Sequence, residues 1–146
     1  MMSTNATSTT DRSIRLPALR APFGLWGVMA GLAVANGIFR ELVLIPRIGE
    51  YAGHVLSTGL LVGAILAVSA LYFIRTETDY SRAELAAVGA GWTLMTVGFE
   101  FLVGYAEGTP VSVTLGQYDV LAGQVWIAVP LTLLVAPYLF GRLLRE

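Results

Sequence analysis

The chain has 146 residues, 55% of them hydrophobic and 13% charged, with a formal net charge of −1 and a mean hydropathy of +0.70. A soluble domain carries about 25% charged residues, so the deficit and the long apolar runs point to the bilayer. The charge balance excludes a basic field for nucleic acid, the absence of cysteine excludes disulfides and thiolate chemistry, the lone His54 excludes a site of several imidazoles, and the absence of lysine excludes Schiff-base and P-loop chemistry.

Residues 1–21 are rich in Ser and Thr, carry Arg12, Arg15 and Arg20, and read as a disordered cytoplasmic tail. A cleaved signal peptide competes with this, with Ala33-Val34-Ala35 as the cleavage site. Against it, the apolar run continues through Ile45, further than such a peptide needs. Residues 22–146 then form one domain with spans at about 23–45, 52–74, 85–105 and 120–143, each near the ~20 apolar residues of a crossing helix. The expected fold is all-α, an integral membrane antiparallel four-helix bundle.

The first span carries a Gly27/Gly31 pair and ends in Asn36-Gly37-Ile38-Phe39-Arg40-Glu41. A charge at mid-bilayer costs roughly 2.5–3.5 kcal/mol, so charges placed there call for partners. Asn36 and Arg40 share a face, whereas Glu41 is turned about 100° from Arg40, so these neighbours are expected to pair elsewhere. Pro46 and Gly49 mark 46–51 as a turn. The second span opens with His54, Ser57 and Thr58 on one face, carries Gly59/Gly63, and closes with Tyr72 and Phe73 at the interface.

Residues 75–84 read as a polar loop with Asp79 and Ser81 as N-cap candidates and Glu84 in the following first turn. Thr93, Thr96 and Glu100 form one stripe of the third span. The 106–118 loop is irregular, with 111–115 open between a short strand and a re-entrant turn. The fourth span has Asp119 as its N-cap candidate, Gln124 near its start and Pro130 as a mid-span interruption.

Seven of the nine arginines (Arg12, Arg15, Arg20, Arg75, Arg82, Arg142 and Arg145) fall on one side of these spans. The positive-inside rule then places both termini in the cytoplasm. At a rise of ~1.5 Å per residue, Arg40 lies ~25 Å from residue 23 and Glu100 ~22 Å from residue 85, which sets them at matched height in the outer leaflet. Asn36, Arg40, Glu41, His54, Ser57, Thr58, Thr96, Glu100 and Gln124 should therefore share one polar layer. An Arg40–Glu100 ion pair is expected at its centre, with the cytoplasmic half apolar.

Two meanings of that layer stay open: a ligand, proton or small-solute pathway, or a network that only fixes helix packing in a structural or accessory subunit. The Gly27/Gly31 and Gly59/Gly63 faces would suit a second copy or another membrane protein. No cofactor is expected. A haem would need an axial ligand such as His54, but an interfacial hydrogen bond accounts for that histidine without one. Trp26, Trp92 and Trp126 read as packing or interface residues. A membrane enzyme with Glu100 as acid/base lacks a nucleophile, metal set or cofactor motif to support it.

The motifs Asn36-Gly37-Ile38-Phe39-Arg40-Glu41-Leu42, Gly49-Glu50, His54-Val55-Leu56-Ser57, Phe99-Glu100-Phe101 with Gly104, and Tyr118-Asp119-Val120-Leu121-Ala122-Gly123-Gln124-Val125-Trp126 resemble those of a family of small four-helix bacterial membrane proteins. The resemblance covers all four spans. It implies a multi-pass protein of the bacterial inner (plasma) membrane and adds no activity. The small multidrug exporters fit less well, because their key Glu is in the middle of the first helix, and dual-topology fluoride channels lack such an arginine bias.

Overall fold

The computed structural model describes residues 13–116, 119 and 124–144. All regular structure among these is helical: α1 (Leu16–Ile48), α2 (Glu50–Arg75), α3 (Arg82–Ala106), the short α4 (Val111–Gly116) and α5 (Ala128–Leu143). By length and composition α1, α2 and α3 could each cross a membrane, while α5 is apolar but shorter. Three long apolar helices and the shorter α5 thus stand, among the described residues, where four spans were expected.

The helix ends differ from the expected ones for identifiable reasons. α1 does not stop at Ile45. It widens into a π turn at Arg40–Leu44 and continues as α-helix through Pro46 to Ile48. A proline ring presses on the carbonyl four residues back, here Leu42, and the widened turn falls at that point. The expected 46–51 turn contracts to Gly49, whose φ of +92° suits a residue without Cβ. α3 begins at a Ser81 capping box and ends in a Schellman arrangement, with Thr109 N–H donating to Gly104 O and Gly108 N–H to Tyr105 O.

Pro130 lies in the first turn of α5, where a missing N–H leaves no bond unmade, so it helps start this helix instead of interrupting it. The N-cap is Ile127, not Asp119; residues 120–123 of the expected fourth span, and 117 and 118 of the expected loop before it, lie outside the described residues. Residues 111–115 are helical within α4, not a strand. The expected 1–21 tail is also shortened. Residues 1–12 lie outside the described residues, but helix begins at Leu16, and Leu19 and Pro22 are buried.

α1 and α3 run parallel, with Phe23 against Gly91 and Pro22 against Trp92, whereas α3 and α5 are antiparallel, with Gly89 against Leu134 and Leu85 against Gly141. α5 packs mainly on α3 and α2, and α1 on α2. A Cβ at Gly89 would collide with the Leu134 carbonyl oxygen, so this glycine sets the α3–α5 approach. Gly27, Gly31, Gly59 and Gly63 are exposed, and a Cβ on any of them would meet nothing within 4 Å.

The tightest core lies at one end of the bundle, where Phe73, Tyr80, Leu85, Val88 and Trp92 are fully buried. Phe73, expected at an interface, instead packs edge-on against Tyr80 at 5.6 Å and beside Trp92 at 6.0 Å. Tyr80 shares a 2.6 Å hydroxyl hydrogen bond with Tyr72, and burial together with that bond pushes its phenol above the ordinary range. Large apolar side chains such as Leu42, Leu94 and Leu102 lie exposed on the outside of the long helices.

Two alanine substitutions should have opposite signs. Gly89→Ala overpacks the α3–α5 contact and should destabilise by about 1–3 kcal/mol. Gly59→Ala, on an open helix face, should stabilise by about 0.5–1 kcal/mol. Unfolding of the purified protein by SDS titration in mild detergent measures both.

Candidate functional site

At the N-terminus of α3, Ser81 Oγ accepts the Glu84 N–H at 3.1 Å, and Glu84 Oε1 accepts the Ser81 N–H at 2.8 Å. The Glu84 carboxylate is fully buried and also takes three bonds from Arg15: its backbone N–H at 2.9 Å, Nε at 3.0 Å and Nη2 at 2.8 Å. Arg15 Nη2 reaches the Asp79 carbonyl at 2.7 Å as well, and Ser81 Oγ donates to the Ser13 carbonyl at 2.6 Å. The Glu84 hydrogen bond holds the Arg15 guanidinium above even its usual high pKa. This clasp joins residues of the expected tail and of the expected 75–84 polar loop, outside the expected spans. The Ser81-x-x-Glu84 spacing signals a capping box, but nothing in the sequence ties it to Arg15.

The clasp fixes the register of α1 against α3. Arg15 bonds Glu84 across 69 residues, the Trp92 indole donates to Pro22 O across 70, and the Trp26 indole donates to Thr96 Oγ1 across 70. On that offset Glu100 is level with Ala30, and Arg40 lies about ten residues, or ~15 Å, beyond Glu100. The matched height is therefore wrong, and the expected Arg40–Glu100 bridge is not among the ion pairs of the described residues. Arg40 Nε instead lies 3.6 Å from Oε1 of Glu41, itself 63% exposed. A π turn has more residues per revolution than an α-helix, so neighbours diverge by less than 100° and this loose pair can form.

At the end opposite the clasp the helices part around a cleft of about 720 Å³. Arg40, Glu41, Glu50, His54 and Glu107 line the cleft near the helix ends. Thr96, Glu100 and Gln124 follow deeper, with Trp26 and Trp126, and buried Met29, Leu61, Ile65 and Leu133 form an apolar floor. Trp26 meets Phe99 edge-on at 6.1 Å, and the Trp126 ring lies 6.1 Å from that of His54.

Six of the nine expected residues (Arg40, Glu41, His54, Thr96, Glu100 and Gln124) meet at this cleft. Asn36, Ser57 and Thr58 do not. Asn36 Nδ2 donates to the Ser57 carbonyl at 3.0 Å and to its Oγ at 2.9 Å, tying α1 to α2, and Thr58 is buried. Sequence reasoning missed Glu50 and Glu107, which look like ordinary helix-end charges, and took Trp26 and Trp126 for packing residues. No cluster of His, Cys, Asp and Glu able to hold a metal ion occurs among the described residues.

The two arginine pairs should rank clearly in stability. Arg15→Ala strips hydrogen bonds from a buried carboxylate and should cost about 1–3 kcal/mol. Arg40→Ala removes a solvent-facing pair and should change stability by less than about 1 kcal/mol. SDS unfolding of both variants checks the order, which an Arg40–Glu100 bridge would reverse.

No family model matches the chain, and neither a curated protein nor a solved structure matches it.

Proposed function

We propose that this chain is a multi-pass protein of a bacterial inner membrane, and that its cleft receives a small ligand, proton or solute from the face opposite the termini. α1, α2 and α3 cross the bilayer in this reading, and α5 completes the closed end. The observation that carries it is the cleft itself: polar groups from α1, α2, α3 and the segment before α5 line one cavity with an apolar floor. A carboxylate within a span is costly unless it faces a bundle interior or a water-filled cavity, and Glu100 faces the cleft. Arg15, Arg75, Arg82 and Arg142 all flank the clasped end, which supports placing both termini in the cytoplasm.

A second reading, a structural or accessory subunit whose polar cluster only fixes packing, draws support from the open Gly27/Gly31 and Gly59/Gly63 faces. Water access separates the two. The chain has no cysteine, so single-cysteine variants carry the only thiol. With a membrane-impermeant thiol reagent added outside, Glu107→Cys and Thr96→Cys should both be modified, while lipid-facing Leu94→Cys should resist. Labelling of Glu107→Cys with Thr96→Cys inert would mean a sealed interior and favour the packing reading.

A further inference from the structure

We propose that the occupant of the cleft is an organic cation with an apolar body, a class that includes quaternary ammonium and phosphonium compounds. This rests on the cleft being a ligand site. Among the described residues, its lining carries four carboxylates (Glu41, Glu50, Glu100 and Glu107) against one guanidinium, Arg40, a formal balance of −3 with His54 neutral. Low-dielectric walls focus such a field and draw cations toward it. An anion would enter against this field, and a neutral lipid would make no use of it.

The walls narrow the class further. Trp26, Tyr51, Phe99 and Trp126 present aromatic rings to the cleft, and ring faces attract cations that are weakly hydrated. A compact metal ion has no use for the floor of Met29, Leu61 and Ile65, and the described residues offer no metal cluster. A volume of about 720 Å³ lies inside the range of sites for drug-sized molecules.

Tetraphenylphosphonium and tetraphenylborate test this class, because they match in shape and differ in the sign of their charge. The full-length protein is placed in nanodiscs of zwitterionic lipid, and binding is read by equilibrium dialysis and tryptophan quenching. Saturable binding of the phosphonium is expected, weakened about tenfold or more by Glu100→Gln and also weakened by Glu107→Gln. Glu107 is exposed at the end of α3, so its variant remains informative if Glu100→Gln does not fold. Saturable binding of the borate instead would overturn the cation class and leave the cleft standing as a ligand site. Saturable binding of neither probe would count against both. Phosphonium uptake unchanged by Glu100→Gln, Glu107→Gln and Trp126→Ala would be lipid partitioning only and would end the proposal.

Discussion

The buried carboxylate of Glu84 is the point from which the rest of the bundle takes its register. It caps its own helix through Ser81 and takes three further bonds from Arg15, so it locks the start of α1 to the start of α3. The Glu84 carboxylate is buried while Arg15 is half exposed, so removing Arg15 would leave a buried charge short of partners, and the contact holds the alignment of the two helices. The Trp92–Pro22 and Trp26–Thr96 bonds continue the same offset along the helices, so three separate contacts enforce one register.

That register divides the molecule into a closed and an open end. At the clasp, Glu84, Leu85, Val88, Gly89 and Trp92 of α3 are buried, whereas further along α3 Gly104 alone is classed as buried. α5 begins at Ala128, and the cleft lies by the other ends of α1, α2 and α3. Arg40 consequently lies near the rim with the exposed Glu41, while Glu100 occupies the deeper level. In the proposed membrane setting the costly charge is therefore the carboxylate of α3, and the guanidinium of α1 stands where water can solvate it.

Apolar runs were enough to locate all the long helices, since a stretch of ~20 such residues leaves few other folds. Their ends were not legible, because apolarity and helicity stop at different places. Pro46 sits inside α1, and Leu16–Leu19 is helical ahead of the apolar run. Starting the first and third spans at 23 and 85 implied an offset of 62, whereas the contacts enforce 69 to 70. That error is enough to bring Arg40 and Glu100 falsely level. Polar side chains inside the apolar runs still marked most of the cleft, because those from α1, α2 and α3 and from the segment before α5 line it together. Asn36 and Ser57 obeyed the same helical spacing but found each other first. The Arg15–Glu84 contact joins residues far apart in sequence with no local pattern linking them.

The register itself is most directly tested by cross-linking paired cysteines on α1 and α3 in native membranes with a short bifunctional thiosulfonate. The Trp26→Cys/Thr96→Cys pair should cross-link readily, and the Arg40→Cys/Glu100→Cys pair, displaced by ~15 Å along the helices, should not. Efficient linkage of the second pair with failure of the first would contradict the register and the cleft built on it.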